Sequence, residues 1–178
     1  MKRIAALLMI LCSSVTLSYA KTKLAPASLQ LKDAEWSFEK VIEVPNTPQK
    51  DIYESMKTWV LSHVPTADKN TQFDDANQAQ IITYVSLPLG NLWTFYTDVT
   101  LSFKFTIQVK DNKARFSAGA FNYSAIGTSS NLGIKNSPLE TYEDEKGMVK
   151  KINQKIDESF PAFIAKAEKG LAKQKSDW

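Results

Sequence analysis

The residue types that most often do chemistry are scarce in this chain. His63 is the only histidine among the 178 residues, and Cys12 is the only cysteine. A lone histidine could act as a general base or a metal ligand, but a transition-metal site needs several nitrogen or sulfur ligands. His63 lies four residues after Trp59, at the end of a predicted helix, where an imidazole commonly interacts with the last carbonyl groups. We therefore predict a helix-terminal role for His63 and no metal or cofactor.

Other groups with catalytic or ligand-binding potential lack the spacing that their chemistry needs. Asp68, Asn70, Asp74 and Asp75 could offer oxygen ligands to calcium, but the glycine and the terminal glutamate of an EF-hand loop are missing. The small-residue loop from Gly127 to Gly133 lacks the Gly-Lys-Ser/Thr ending of a phosphate loop, and the chain has no Gly-x-Ser-x-Gly elbow. The sequence therefore predicts a protein that is not an enzyme.

Three aromatic side chains and an arginine have the composition of a binding surface. They are Trp93, Phe95, Tyr96 and Arg115. Aromatic residues and arginine are enriched where proteins contact their partners. Alternation along a strand puts Trp93 and Phe95 on one face and Tyr96 on the other, so a position in the core stays open for the first two.

The first 20 residues contain the three parts of a secretory signal peptide. Lys2 and Arg3 form a positive n-region, an apolar stretch runs from Ile4 to Leu17, and Ser18-Tyr19-Ala20 supplies the small residues of a cleavage site. An uncleaved anchor is a weaker interpretation, because a membrane span needs about 20 apolar residues. We predict export, to the periplasm or to the outside of the cell.

Cleavage after Ala20 would change the composition of the mature protein. It removes Cys12, so the mature chain has no thiol for a disulfide or a metal site. It also removes Lys2 and Arg3, which lowers the number of basic side chains from 22 to 20, against 19 acidic ones, and leaves a net charge near +1. This balance predicts neither a nucleic-acid partner nor stable membrane insertion.

The remaining chain divides into two parts by composition. Residues 21–33 are polar and weakly patterned, with Pro26 among them, and this is typical of a flexible leader. Regular alternation starts at Trp36, and we predict a single domain over 34–178.

Periodicity within this domain predicts the order β-α-β-β-β-β-α. Period-two alternation and β-rich runs indicate strands over 36–44, near Phe73, and over 81–89, 99–110 and 114–126, and the aromatic stretch 93–97 is extended. Helical spacing indicates one helix from Thr47-Pro48 to before Pro65, and a longer one from about Leu139 to Lys175 that Pro161 should kink or divide. An α+β fold, in which two helices cover one face of an antiparallel sheet, accounts for both patterns.

Two stretches carry a family resemblance: FEKVIEVPNTPQKDIYESMKTWV (38–60) and IQVKDNKARFSA (107–118). They resemble a family of secreted bacterial domains of unknown function with a TBP-like fold. The shared features are a strand ending in a valine, a helix with a tyrosine and a tryptophan, and a strand–turn–strand with a Lys-Asp pair and an arginine. The counterparts in this chain are Val44, Tyr53, Trp59, Lys110-Asp111 and Arg115.

The resemblance covers residues 38–126 and departs from the family in the hairpin. Asn112 and Lys113 stand where a glycine is common in the family. Membership implies a TBP-like fold and an envelope location, and it implies no catalytic residues.

Two hypotheses for the function follow. The leading one is a non-enzymatic envelope or periplasmic module that binds a protein or another ligand through its sheet surface and loops. The alternative is a helix-grip carrier, which would hold a small hydrophobic ligand between a curved sheet and the C-terminal helix. We expect a monomer or a weak dimer in either case.

Overall fold

The computed structural model describes residues 21–64, 71–92, 96–127 and 134–172. The predicted signal peptide, 1–20, lies outside the described residues. In chain order the elements are β1 (Lys21–Lys23), β2 (Gln30–Lys32), β3 (Glu35–Glu43), α1 (Gln49–His63), β4 (Thr71–Asp75), β5 (Gln80–Gly90), β6 (Tyr96–Lys110), β7 (Lys113–Gly127), β8 (Ile134–Pro138), a 3-10 helix (Leu139–Thr141), β9 (Glu143–Glu145) and α2 (Lys146–Ala172).

Seven of these strands form one antiparallel sheet. Its order is β2-β3-β7-β6-β5-β4, and β8 pairs with the end of β7 that β3 leaves unpaired. The strands β1 and β9 form a separate antiparallel pair. The predicted order β-α-β-β-β-β-α is confirmed for β3, α1, β4 to β7 and α2, to which the chain adds four short strands.

The core lies between the sheet and the two helices. Alternate residues of β6 point into it, and Leu101, Phe103, Phe105 and Ile107 are all at most 1% exposed. The rings of Phe103 and Phe160 from α2 meet edge to face, with centroids 5.4 Å apart. Edge-to-face contact is a favoured geometry for aromatic side chains. Because residues of the sheet and of the helices share this core, the predicted α+β fold with two helices on one face of the sheet is confirmed.

The segment 21–33 packs on the domain, in contrast to the flexible leader that its polar composition led us to expect. Leu24 and Leu29 are only 4% and 5% exposed. The backbone N–H of Ala25 donates to Oδ1 of Asn153, at 3.1 Å, and that of Ser28 to Oδ1 of Asp157, at 2.8 Å. Both acceptors are side chains of α2, far away along the chain, and no local pattern in the sequence reveals them.

The C-terminal helix also differs from the prediction. It begins at Lys146, since the residues from Leu139 to Glu145 form the 3-10 helix and β9 instead. It continues through Pro161, which therefore does not divide it. The missing N–H of a proline costs a helix one hydrogen bond, and burial of Phe160 and Phe163 on either side offsets that loss. The predicted end at Lys175 lies outside the described residues.

Candidate functional site

The sheet has a second face that the described helices do not cover. We call it the outer face, and it consists of the side chains that alternate with the core residues on β3, β5, β6 and β7. Its exposed and half-buried members include Glu39, Val41, Glu43, Gln80, Ile82, Tyr84, Ser86, Ser102, Lys104, Thr106, Gln108, Lys110, Lys113, Arg115, Ser117 and Asn122. Hydroxyls, amides and cations predominate, which is the composition of a solvated or partner-binding surface.

Strand register aligns the outer-face side chains in rows across the sheet. One row runs Gln80, Gln108, Arg115, Val41, and the next runs Lys110, Lys113, Glu43. Side chains directly opposite each other on antiparallel strands lie within about 5.5 Å at Cβ, so each row forms a continuous set of neighbours.

Arg115 is held in place by two neighbours on this face. Its Nε donates to Oε1 of Gln108 at 3.0 Å, and its Nη2 donates to the same oxygen. Its Nη1 lies 3.7 Å from Oε1 of Glu39, and about half of the arginine side chain remains accessible to solvent, at 49%. An exposed ion pair of this kind adds little stability, so its main effect is to orient the guanidinium.

A groove of about 470 Å³ lies beside Arg115, where β6 and β7 meet their connecting turn. We call it the basic groove. It is lined by Val41, Gln78, Gln108, Val109, Lys110, Lys113 and Arg115. The lining combines three cations, two amides and two aliphatic side chains, so the groove can receive an anionic group and hydrogen-bond the polar groups around it.

Of the four residues predicted to form a binding surface, the structure describes Tyr96 and Arg115, and these two lie far apart. Trp93 and Phe95 lie outside the described residues. Tyr96 is the first residue of β6 and pairs with Gly127, whereas Arg115 pairs with Gln108 near the other end of the same strand. Twelve residues of strand separate these two positions, or about 40 Å, so Arg115 and Tyr96 cannot serve one small ligand.

Sequence reasoning missed the neighbours of Arg115 in the groove. Gln108, Lys110 and Lys113 are outward positions in the alternating pattern, and a signal for them was therefore present. Their grouping depends on the register across the two-residue turn, which alternation alone does not give.

His63 has the predicted helix-terminal role. It is the last residue of α1, its Nδ1–H donates to the carbonyl oxygen of Trp59 at 3.1 Å, and its ring stacks on the indole at a centroid distance of 5.5 Å. A second groove, of about 410 Å³, opens beside this pair and is lined mainly by apolar side chains of α1, β5 and α2, among them Leu87 and Phe163.

Two of the candidate calcium ligands are described: Asp74 pairs with Ile81 in the sheet, and Asp75 accepts hydrogen bonds in a turn. Oδ1 of Asp75 accepts from the backbone N–H groups of Asn77 and Gln78, at 2.9 and 3.1 Å, as in the predicted turn. Asp68 and Asn70 lie outside the described residues. Within the described ranges, no group of three or more His, Cys, Asp or Glu could hold a metal ion. No helix in those ranges has the length and apolar character needed to cross a membrane.

Comparison with known proteins gives a family-model match over part of the chain, and a shared fold. Residues 38–124 match the family model described as a domain of unknown function (DUF4468) with TBP-like fold. This segment runs from β3 to β7 and therefore includes Arg115 and its hairpin. Among curated proteins, none matches the sequence significantly.

Two solved structures have the same architecture. One is a TBP-like protein from Parabacteroides distasonis ATCC 8503, with a TM-score of 0.65 and 14% identity over 81% of this chain and 97% of that one. The other is a DUF4468 family protein from Bacteroides ovatus ATCC 8483, with a TM-score of 0.63 and 11% identity over 82% of this chain and 91% of that one. At such identities the likeness shows a shared fold and nothing about activity.

Proposed function

We propose that this chain, which has a TBP-like fold and matches the DUF4468 family model over residues 38–124, is a non-enzymatic module that binds a partner protein through its outer face. The observation that carries the proposal is that the described helices cover one face of the sheet only. The other face presents Arg115, held by Gln108 and Glu39, beside the basic groove.

The place of action in this proposal is the bacterial envelope. Support comes from residues 1–20, whose charged, apolar and small-residue regions follow the order of an export signal. A module outside the cytoplasm that binds a protein needs a stable scaffold and an accessible surface. The aromatic core can supply the stable scaffold, and the outer face can supply the accessible surface.

A matched pair of substitutions tests this function. Thr106 is half-buried at the centre of the outer face, and Thr58 is exposed on α1. Thr106→Trp adds a bulky ring to the proposed surface, and a strand tolerates an aromatic residue well. Thr58→Trp makes the same chemical change on the helical side.

The readout is the affinity for a protein that is captured from envelope extract by the unaltered chain, identified, and then purified. We expect Thr106→Trp to weaken binding by about tenfold or more, since hot spots lie near the centre of an interface, and Thr58→Trp to leave it unchanged. Equal affinities of the two variants would show that the outer face is not the binding surface.

A second candidate function, the carriage of a small hydrophobic molecule, draws support from the apolar groove beside Trp59. The centre of the interface between sheet and helices is filled by rings, with Phe105 and Phe163 at a centroid distance of 5.3 Å. A carried ligand would therefore lie in the groove at the side of α2, lined by Trp59, Leu87 and Phe163. Native mass spectrometry distinguishes the two functions, since a carrier shows a recurrent added mass that is lost on denaturation and reduced by Leu87→Asp.

A further inference from the structure

We propose that the basic groove binds a short acidic segment of the partner protein, with carboxylate side chains as the groups that it recognises. The inference rests on the proposed function and names the position and the chemistry of the contact. Three features support it. Two adjacent lysines have no ion-pair partner among the described residues, an arginine is held in place by hydrogen bonds, and the groove lining combines cationic, amide and aliphatic side chains.

The lysine pair is an unusual feature of the β6–β7 hairpin. Lys110 and Lys113 stand directly opposite each other across the two-residue turn, and both are exposed on the outer face. Neither ammonium group has an ion-pair or hydrogen-bond partner among the described residues. Like charges placed directly opposite on neighbouring strands destabilise a sheet, and a bound anion would remove this repulsion.

Arg115 adds a third cation on the same side of the groove. It follows Lys113 by two residues on β7, so alternation puts both side chains on the outer face. The hydrogen bonds to Gln108 hold the guanidinium before a ligand arrives. An acidic ligand therefore meets one oriented cation and two exposed ones, and none of the described residues that line the groove is a carboxylate.

Carboxylates near the groove favour a peptide over a dense polyanion. Glu39 lies beside Arg115, Glu43 is in register with Lys113, and Asp111 lies in the turn, where its Oδ1 accepts from the backbone N–H of Gln49. Closely spaced phosphates or sulfates would be repelled by these groups. A peptide spaces its carboxylates apart, and its amides and methylene groups fit the glutamines and the half-exposed Val41 of the lining.

The test uses a fluorescein-labelled hexaglutamate peptide and the mature chain, with binding followed by fluorescence anisotropy at low ionic strength. Hexaglutamine with the same label is the uncharged control. Lys110→Gln with Lys113→Gln removes the pair, and Lys150→Gln with Lys169→Gln removes two exposed lysines of α2, so both double variants have the same net charge.

We expect hexaglutamate to bind and hexaglutamine not to bind. The groove variant should lose about tenfold in affinity and the α2 variant less than about twofold. A cooperative thermal transition near that of the unaltered chain shows that the groove variant is folded, since it loses both the Lys110–Lys113 repulsion and the Lys113–Glu43 attraction. Equal loss in both variants, or no binding of hexaglutamate, overturns the inference.

Two further outcomes separate this inference from the proposed function. Inorganic polyphosphate that binds in the groove more tightly than hexaglutamate would assign the site to another class of anion and contradict the inference. If Thr106→Trp weakens partner binding while the lysine variant does not, the outer face remains the binding surface and only the acidic-segment contact is wrong.

Discussion

At Gly170 the backbone of α2 lies directly against the indole of Trp59. A Cβ at this position would come within 2.5 Å of Cδ1 and 2.8 Å of Cγ of the tryptophan. Both are atoms near the base of a buried side chain that also contacts Phe163, at a ring distance of 5.7 Å, and that can move little. The glycine is therefore required by the packing of α1 against α2.

We predict that Gly170→Ala lowers the free energy of unfolding. Overpacking a core costs about 1–3 kcal/mol, which exceeds the gain of up to about 1 kcal/mol from replacing glycine in a helix. Urea denaturation measures the change. Gly147→Ala is the matched control in the same helix, since a Cβ there has no neighbour within 4 Å, and it should be neutral or slightly stabilising. Equal effects of the two variants would contradict the packing argument.

The carboxyl of Glu158, on α2, accepts hydrogen bonds from two neighbouring side chains. A hydrogen bond from Lys155, at 2.9 Å, and then one from Gln154 hold the pKa of Glu158 below its ordinary value. A lowered folded-state pKa stabilises the protein above the ordinary pKa of the carboxyl, and this stabilisation is lost as the pH falls through the lowered pKa. NMR titration should show the pKa rising after Lys155→Gln and unchanged after Lys150→Gln. An unchanged pKa in both variants would contradict this account.

At the scale of elements, the β6–β7 hairpin supports the start of α1. Oδ1 of Asp111 accepts from the N–H of Gln49 at 2.8 Å, and the carbonyl of Asn112 accepts from the N–H of Val44 at 2.7 Å. Asn112 has a φ of 63°, a conformation that asparagine tolerates and that the family's common glycine would also adopt. The tip of the β6–β7 hairpin therefore caps the N-terminus of α1.

Asp111→Ala should destabilise the protein by about 1 kcal/mol, the usual cost of a lost helix cap. Thr47 is the hydroxyl residue nearest to the start of α1, but its Oγ1 donates to the carbonyl of Pro45 and the N-cap is Pro48, so we expect a smaller effect from Thr47→Val. Both are measured by chemical denaturation, with Asp111→Asn as the conservative variant that keeps an acceptor oxygen. A larger loss in Thr47→Val than in Asp111→Ala would contradict the assignment.

The same region shows what local pattern can and cannot predict. Alternation correctly predicts the strand from Val99 to Lys110 and the position of Arg115 on a strand, because burial of one face imposes a period of two. The cap at Asp111 and the anchors of the 21–33 segment at Asn153 and Asp157 depend on contacts between distant parts of the chain. For the candidate site, residue types were visible in the sequence, and the cross-strand register that groups Lys110 with Lys113 was not.

For the molecule as a whole, the predicted cleavage site lies directly before a described strand. Lys21 of β1 pairs with Glu145, so cleavage after Ala20 would keep this pair. We predict that the mature protein in the envelope fraction begins at Lys21, as N-terminal sequencing would show. Ala20→Arg should block processing, because the peptidase requires a small residue there. An unprocessed 20.0 kDa protein in the cytoplasm would contradict export.

In the proposed function, the outer face of the sheet binds the partner and the helical side does not. Site-specific photo-cross-linking tests it most directly, with benzoylphenylalanine in place of either Ser117, half-buried on the outer face, or Leu61, which is exposed on α1. We expect a partner polypeptide in envelope extract to be cross-linked from position 117 and not from position 61. Cross-linking from position 61 alone would contradict it.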